Sequence, residues 1–246
     1  MKKEILVIGD SCIDIFVHCN CTKICPEAPV PLLEIEKQIE NGGMAMNVYN
    51  NILSLGTDCD IVTNNNWKNI KKIRYVDNHT NHMFIRIDQA EPTNRIDLTT
   101  LDLNYNIIII SDYNKGFLTE EDIEWITKHH DCVFIDTKKH LGSWINLAKY
   151  IKINNIEYSF SKNVITEQLN TKIIQTQGKR GCTFNGKQYT VDPVSVVDVA
   201  GAGDTFLAGL ATKYLINNNN IDEAIIFANL CASRVVQERG VTTITI

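Results

Sequence analysis

The strongest chemical signal in this 246-residue sequence is a glycine-rich run at residues 198–206, DVAGAGDTF, which leads into an apolar segment with helical spacing. A Gly-x-Gly turn that enters a helix directs backbone N–H groups outward at the positive end of the helix dipole, where they can hold a phosphate. The amides of Gly201, Ala202 and Gly203 are the expected anion hole, with Asp204 at its mouth. The alternative is that Asp204 only caps the helix. The two glycines favour a ligand, because they let it approach the backbone closely.

Four shorter patterns could bind a small molecule or a nucleotide. They are Asp14 in Gly9-Asp10-x3-Asp14; Gly42, Gly43 and Asn47 in Asn41-Gly42-Gly43-x3-Asn47; Asn154 and Glu157 in Asn154-x2-Glu157; and Thr176, Gly178 and Gly181 in Thr176-x-Gly178-x2-Gly181. Each has an ordinary structural alternative: a turn carboxylate, a tight turn into a helix, a strand-to-helix cap or a β-turn. Spacing alone leaves these alternatives open.

Apolar strand-like runs alternate with helical patterns along most of the chain. The runs are residues 4–8, 60–63, 107–110, 132–136, 150–153 and 172–176, with a final short strand at 242–246, and the helical patterns are 45–55, 120–130, 143–149, 203–217 and 221–239. This alternation predicts an α/β fold: a doubly wound, mostly parallel sheet with helices on both faces.

Two stretches do not fit the alternation. Residues 12–40 and 72–88 show partial period-two patterning and contain no run of helix length, which predicts a small β-sheet projecting from the core. We therefore expect one domain over residues 1–246, with this projecting sheet as a lid. The face of such a lid that is turned away from the core needs a cover.

Composition excludes several classes of protein. There are 24 Lys and Arg against 29 Asp and Glu, a formal net charge of −5, which lacks the basic footprint of a nucleic-acid binder. The longest aliphatic runs, residues 5–8 and 107–110, are far shorter than the roughly 20 residues that span a bilayer. The first residues lack the features of a signal peptide. We expect a cytoplasmic protein without nucleic-acid or membrane partners.

Cys19, Cys21 and Cys25, next to His18, form the one cluster among the eight cysteines. Their spacing lacks the paired ligands of the usual zinc sites, and in an extended segment Cys19 and Cys21 share one face. A half-buried strand is therefore the expected structure, and no metal is expected there.

The five patterns follow one another in the order found in the ribokinase-like (PfkB) carbohydrate kinases, which the chain resembles over nearly its whole length. Residues 25–31 (CPEAPVP), 111–116 (SDYNKG) and 227–233 (FANLCAS) are most similar to the heptose 7-phosphate kinases, which supply the ADP-heptose precursor of lipopolysaccharide. The resemblance implies an ATP- and Mg²⁺-dependent phosphotransferase that acts on a sugar hydroxyl, first of all the anomeric hydroxyl of heptose 7-phosphate. It leaves open a kinase for another sugar, sugar phosphate or nucleoside, and a non-catalytic sugar- or nucleotide-binding protein.

The resemblance also implies roles for individual residues. It makes Asp204 the general base on the acceptor hydroxyl, and the amides of Gly201, Ala202 and Gly203 the groups that stabilise the transferred phosphoryl group. The implied sugar contacts are Asp14, Gly42, Gly43, Asn47, Asp112 and Lys115, and the implied nucleotide contacts are Asn154, Glu157, Thr176, Gly178, Gly181 and Asn229. Glu157 is expected to hold Mg²⁺ through water, and Asp198 to sit beside a monovalent cation such as K⁺. For Asp112 and Lys115 the alternative is a solvated loop charge.

The sequence departs from the family in length. The segments between Gly56 and Lys72 and between Glu157 and Lys172 are compressed, so part of the sheet edge and of the nucleotide side is expected to be missing. No nucleotidyltransferase segment follows the kinase features, so a kinase alone, and not a fused bifunctional enzyme, is expected.

The resemblance further implies an assembly. Related kinases cross such lids between two subunits, which implies a homodimer joined through residues 12–40 and 72–88. Ile15 and Ile35 are then expected in the contact, with Asp14 facing the substrate.

Overall fold

The computed structural model describes residues 3–245. Its strands are β1 (Lys3–Gly9), β2 (Ser11–Ile24), β3 (Pro31–Met44), β4 (Cys59–Thr63), β5 (Lys71–Asp77), β6 (Met83–Gln89), β7 (Tyr105–Asp112), β8 (Val133–Thr137), β9 (Tyr150–Asn154), β10 (Ile173–Thr176), β11 (Cys182–Phe184) and β12 (Lys187–Tyr189). Its α-helices are α1 (Ala45–Ser54), α2 (Glu120–His129), α3 (Asn155–Ser161), α4 (Glu167–Asn170), α5 (Ala202–Ile216) and α6 (Ile221–Val235). Within the described part of the chain, no helix is long and apolar enough to cross a membrane.

Eight strands form the main sheet, in the order β12-β11-β10-β9-β8-β7-β1-β4. From β10 to β4 neighbouring strands are parallel, and the β11–β12 hairpin adds an antiparallel edge. Strand β1 shows that both faces are covered: Ile5 and Val7 pack with residues of α1, α5 and α6, whereas Leu6 and Ile8 pack with residues of α2. The predicted doubly wound, mostly parallel sheet is confirmed.

A separate four-stranded sheet has the order β3-β2-β5-β6. Only Asp10 separates β1 from β2, and β3 runs directly into α1, so both ends of the β2–β3 hairpin are fixed to the core. Side chains alternate across this sheet. Phe16 packs with Val241 of the core, whereas Ile15 and Val17 cluster with other residues of the same sheet. One face therefore lies against the core, and the predicted projecting sheet is confirmed.

Three sequence-based element predictions are wrong. Residues 143–149 are not an α-helix but contain one 3-10 turn, Ser143–Ile145, because the chain has to enter β9 at residue 150. Residues 242–245 form no strand, and Ile246 lies outside the described residues. The last helix was predicted to reach residue 239 but ends at Val235. Beyond it, Arg239 donates hydrogen bonds to the backbone carbonyls of Asn78 and His79, which precede β6.

Other elements were not predicted because they are too short to display a periodicity. Strands β11 and β12 have three residues each, and helices α3 and α4 have seven and four. The segment around Cys19 and Cys21 lies in β2, and the extended structure predicted for it is confirmed.

Asn51 of α1 joins three parts of the core through its side chain. Its amide nitrogen donates to the backbone carbonyl of Asn47 (2.8 Å), and its amide oxygen accepts from the N–H of Ile244 (2.9 Å) and the hydroxyl of Thr205 (3.3 Å). The side chain is fully buried. In a strand, the N–H of Ile244 would donate to the carbonyl of a neighbouring strand. Here the side chain of Asn51 accepts this hydrogen bond instead.

We expect Asn51→Ala to lower the free energy of unfolding by about 2–6 kcal/mol, because two buried donors lose their acceptor and each loss costs about 1–3 kcal/mol. Urea denaturation followed by circular dichroism measures the change. Asn50→Ala, at the half-buried preceding position, is the control and should cost less than about 1 kcal/mol. Equal midpoints for the two variants would contradict the role given to Asn51.

Candidate active site

Polar side chains converge where the parallel strands of the main sheet end. The segments after β1, β7, β8 and β9 leave the sheet at its carboxyl edge, and α1 and α5 begin beside them. In open α/β sheets this edge is the usual place of ligand sites, because loops from several strands meet there. Asp10, Asp112, Asp136 and Asp204 are all buried in this region.

Asp204 lies in the first turn of α5, and its carboxylate receives hydrogen bonds on both oxygens. The side-chain amide of Asn47 donates to Oδ2 (3.0 Å), and the hydroxyl of Tyr113 donates to Oδ1 (2.7 Å). Burial raises the pKa of Asp204 above its usual value, while these two hydrogen bonds act against the rise. The structure thus brings together the predicted Asn47 and Asp204. It adds Tyr113, for which the sequence analysis proposed no role.

The glycine turn before Asp204 forms the start of α5, where the anion hole was predicted. Gly201 is the N-cap of α5 and has a left-handed backbone, with φ of 80°. Ala202, Gly203 and Asp204 occupy the first turn, where backbone N–H groups have no acceptor inside the helix. The N–H of Ala202 has a loop acceptor, the carbonyl of Val199, at 3.3 Å. Because Asp204 binds two side chains and Gly201 is the N-cap, the alternative that Asp204 only caps the helix is wrong.

A buried ion pair lies next to this turn. Lys152 of β9 binds Asp136 of β8, its partner in the strand register, and both side chains are at most 5% exposed. A Cβ atom on Gly203 would come within 2.9 Å of the Lys152 ammonium, so a side chain there would disturb the pair. Burial acts to raise the pKa of Asp136, but Lys152 and Lys138 outweigh it and hold that pKa below its usual value. The sequence analysis missed this pair; its signal was a lysine inside the apolar strand YIKIN.

The predicted nucleotide residues Asn154 and Glu157 form the capping box of α3. The Asn154 side chain accepts from the N–H groups of Ile156 and Glu157, and the Glu157 carboxylate accepts from the N–H of Asn154 (2.8 Å). Lys138 binds Glu157 (2.5 Å) and also Asp136 (3.4 Å). Asn154 and Glu157 thus form the strand-to-helix cap that was the structural alternative for this pattern. With one carboxylate oxygen on an amide and the other on an ammonium, these residues fit a Mg²⁺ ion held through water better than one held directly.

The predicted sugar contacts Asp14 and Gly43 meet where the two sheets join. Asp14 of β2 accepts from Arg74 of β5 at 2.5 Å, and both side chains are largely buried. A Cβ atom on Gly43 would lie 2.2 Å from Asp14 Oδ2, so the carboxylate packs directly on the glycine backbone. At Gly42 a Cβ atom would instead meet the flexible side chain of Met46. The pairing of Asp14 with Arg74 was not predicted, because the two residues are 60 positions apart.

Asp112 and Lys115 stand outside this group. The buried Asp112 carboxylate accepts from the ammonium of Lys139 (2.9 Å) and the hydroxyl of Thr137 (2.5 Å), so the solvated alternative is wrong for Asp112. Lys115 is exposed, and its backbone N–H donates to Asp10 at 3.4 Å. Contact of these two side chains with a substrate stays a prediction.

A cavity of about 410 Å³ opens beside the glycine turn. Four predicted nucleotide residues line it together with the first turn of α5: Thr176, Gly178, Gly181, Asn229, Ala202 and Gly203. Much of the remaining wall is apolar and includes Val196, Val199, Phe206 and Val236. This volume and lining suit a nucleoside, whose phosphates would reach the amides of α5. Gly181 also has a structural role, because its φ is 80° and a Cβ atom would meet the carbonyl of Tyr189.

Asp198 links the glycine turn to the C-terminal segment. Its Oδ1 accepts from the N–H of Ala200 (2.9 Å), and its Oδ2 accepts from the N–H of Gly240 (3.1 Å). Each oxygen keeps a lone pair that could face a cation. The residue therefore fits a monovalent cation site, and that role stays a prediction.

The chain matches the model of the pfkB family carbohydrate kinase over residues 71–246. It is 30% identical to the bifunctional protein HldE of Aliarcobacter butzleri, over 100% of this chain and 63% of the relative, and 30% identical to that of Helicobacter pylori (strain Shi470), over 97% and 64%. The chain thus spans less than two thirds of the length of these relatives. The first alignment extends over 303 positions against 246 residues here, so the relative carries segments that this chain lacks, as the compressed segments predict.

Solved structures with a similar fold include a ribokinase from Thermotoga maritima, with a TM-score of 0.74 and 19% identity over 97% of this chain and 94% of that chain. Another is phosphofructokinase-2 from Escherichia coli in complex with potassium, with a TM-score of 0.74 and 14% identity over 100% and 96%. At these identities the likeness shows the fold alone. The predicted ribokinase-like fold is thereby confirmed.

We expect Gly43→Ala to raise the Michaelis constant of the sugar acceptor about tenfold or more, which is about 1.4 kcal/mol of binding free energy. The new methyl group would displace the Asp14 carboxylate and break its contact with Arg74. Steady-state kinetics with the acceptor varied at saturating ATP measures the change. Titration with an ATP analogue is the internal control, since nucleotide affinity should not move. An unchanged acceptor constant would remove Asp14 from the sugar site.

Proposed function

We propose that this protein is an ATP-dependent kinase that transfers the γ-phosphoryl group to a sugar hydroxyl. The proposal starts from the family: the chain belongs to the pfkB family of carbohydrate kinases. The preferred acceptor is a heptose 7-phosphate at its anomeric hydroxyl. The observation that carries the proposal is the position of Asp204, a buried carboxylate at the start of the helix whose Ala202 and Gly203 line the nucleotide-sized cavity. A base and an anion hole on one helix start are what phosphoryl transfer requires.

The proposed reaction uses this arrangement as follows. The acceptor hydroxyl donates a hydrogen bond to Asp204, its proton moves to the carboxylate, and its oxygen forms the new bond to the γ-phosphorus. The bond between that phosphorus and the bridging oxygen breaks, and ADP leaves with the electron pair. The N–H group of Gly203 stabilises the charge on the phosphoryl oxygens, and the ammonium of Lys152 lies beside it. Mg²⁺, when bound with the nucleotide, supplies further positive charge, and Glu157 would hold it through water.

The inner face of the second sheet, the face that carries Asp14, favours an anionic acceptor. The strand register places Lys72, Arg74 and Arg86 on this face. Arg74 binds Asp14 and Arg86 binds a neighbouring carboxylate, whereas Lys72 takes part in no ion pair within the described chain. The Lys72 ammonium lies 5.0 Å from the ring centre of Tyr113, next to the proposed base. A sugar phosphate therefore suits the site better than a neutral sugar.

Two alternatives are weighed by the same residues. A kinase of another phosphorylated sugar would use Lys72 equally well, so it is the second candidate. A non-catalytic binding protein would not require a buried carboxylate with a hydrogen-bond donor on each oxygen. The environment of Asp204 therefore disfavours this alternative. The choice of heptose rests on the similarity of residues 111–116 and 227–233 to the heptose 7-phosphate kinases.

We also propose that the second sheet is a lid that joins two subunits. Its outer face is the one opposite Asp14, and the apolar cluster on it consists of residues of the sheet itself. On this face Ile15 is buried by its neighbours, while Ile35, Ile85 and Ile87 are 63%, 51% and 40% exposed. A second copy of the chain, related by a twofold axis, would cover this strip of side chains.

We expect Asp204→Asn to bind ATP as the unmodified protein does and to lose about two to four orders of magnitude in the rate of phosphoryl transfer, the usual contribution of a general base. The assay couples ADP release to NADH oxidation, with a panel of sugar phosphates and unphosphorylated sugars as acceptors. Turnover of a sugar 7-phosphate by the unmodified protein supports the proposal.

The matched control for this experiment is Asp131→Asn, at an exposed aspartate after α2, which should keep the full rate. Two outcomes would overturn the proposed function. One is equal turnover by the Asp204 variant, and the other is a panel in which no sugar or sugar phosphate is converted.

We expect Ile35→Asp to give a monomer with a raised Michaelis constant for the acceptor, because the charge lies on the proposed dimer contact and the same sheet carries Asp14. Multi-angle light scattering at tens of micromolar measures the mass. Ile226→Asp is the control, since this α6 residue is 59% exposed and lies outside the second sheet. A monomeric unmodified protein would contradict the dimer.

A further inference from the structure

Tyr113 occupies a position at the site that the proposed reaction does not yet explain. It follows β7, and its hydroxyl donates to Asp204 Oδ1 at 2.7 Å. Two ammonium groups lie close to its ring, with Lys72 Nζ at 5.0 Å and Lys138 Nζ at 5.4 Å from the ring centre. Lys72 belongs to the second sheet and Lys138 follows β8, so cations from two separate elements contact the ring.

The backbone of Tyr113 is fixed as firmly as its ring. The carboxylate of Asp10, directly after β1, accepts from the N–H groups of Tyr113 (2.8 Å), Lys115 (3.4 Å) and Phe117 (3.3 Å). Three amides on one buried carboxylate define the course of the loop that carries Tyr113. The hydroxyl therefore reaches Asp204 from a loop with little freedom to move.

We propose that Tyr113 is a positioning residue for Asp204: its hydroxyl fixes the orientation of the carboxylate and keeps it ionised until the acceptor hydroxyl arrives. This proposal rests on the proposed function. Asn47 holds Oδ2 and Tyr113 holds Oδ1, so both side-chain torsions of Asp204 are determined. The remaining lone pairs of the carboxylate are left for the acceptor.

The electrostatic part of the argument starts from burial. Burial raises the pKa of Asp204, and a donor that binds the ionised form more strongly than the protonated form lowers it. Tyr113 keeps its proton and can donate it to the carboxylate, because burial and the nearby carboxylates Asp204 and Asp136 raise the pKa of its hydroxyl far above the usual value. Removing the hydroxyl should therefore raise the pKa of Asp204 further.

The other charged and titratable groups that face Asp204 or Tyr113 are not altered by loss of the Tyr113 hydroxyl. Asp136 of β8 and Lys152 of β9 face it as an ion pair, and on β2 the neutral Cys12, with a pKa raised to about 12, lies near it. Asp14 of β2 faces Tyr113 and is paired with Arg74. A change in the titration of Asp204 on loss of the Tyr113 hydroxyl is therefore attributable to that hydroxyl.

The first experiment does not depend on the substrate. The carboxyl carbons of aspartate are labelled with carbon-13, the Asp204 signal is assigned with Asp204→Asn, and its pKa is measured by NMR in the unmodified protein and in Tyr113→Phe. We expect an upward shift of about one unit or more, as is usual for loss of a hydrogen bond to a charged group. An unchanged pKa in a folded Tyr113→Phe protein would overturn the proposal.

The second experiment measures kcat/KM for the acceptor against pH. Since the base must be ionised, a higher pKa moves the acid limb of the profile to higher pH by about one unit, so activity on that limb falls about tenfold. The Michaelis constant for ATP should not change. Tyr49→Phe, at a half-buried tyrosine packed on the core, is the control and should leave the limb in place. A Tyr113→Phe protein whose activity falls equally at every pH would make the role merely structural and overturn the proposal.

The two experiments separate this proposal from the proposed function. If no acceptor is phosphorylated by the unmodified protein, the proposed function fails. The NMR titration still decides whether the Tyr113 hydroxyl holds Asp204 in its ionised form.

Discussion

A carboxylate kept away from water at the start of α5 sets the requirements that the rest of the site meets. Burial makes Asp204 a stronger base, but a buried carboxylate is stable only with donors on its oxygens. Each donor needs support of its own. Asn51 donates to Asn47 Oδ1 at 3.0 Å, which turns the amide nitrogen of Asn47 towards Asp204, and Asp10 holds the loop of Tyr113. The need to support the Asp204 carboxylate thus joins Asp10, which follows β1, with residues of α1, of the segment after β7 and of α5.

The buried carboxylates of this region differ in the kind of partner they have. Asp112 forms an ion pair with Lys139, and Asp136 forms ion pairs with Lys152 and Lys138, so the partners of both carboxylates are cations. Asp204 instead has two neutral donors, so it can take up a proton without leaving an unpaired lysine behind. Asp10 has neutral donors too, but these are the backbone amides of the loop that covers it. Differences of environment between neighbouring carboxylates assign the proposed base to Asp204.

Sequence analysis reached the parts of this arrangement that lie within one local pattern. The glycine turn and Asp204 are adjacent in sequence, and the alternation of strands and helices is repeated often enough to define the fold. The missing parts depend on contacts between distant residues: Tyr113 and Asp204 are 91 positions apart, and Asn51 and Ile244 are 193 apart. A single tyrosine or asparagine carries no sign of such a partner. For the same reason a strand was wrongly predicted for the C-terminal segment: the N–H of Ile244 donates to the side chain of Asn51 and not to a neighbouring strand.

The second sheet depends on a register that is fixed at its first residues. Because side chains alternate along a strand, a slip of one residue in β2 would exchange the faces of Asp14 and Ile15 and remove both the polar inner face and the apolar outer face. The first residues prevent this slip, since the carbonyl of Asp10 accepts from the N–H of Ala45 and the N–H of Ser11 donates to Asn64. The pairing of β2 with β3 becomes irregular only after His18, beyond the positions that face the site. The pairing of β2 with β3 is therefore regular in the part of the sheet that carries Asp14, and its irregularities are confined to the outer part.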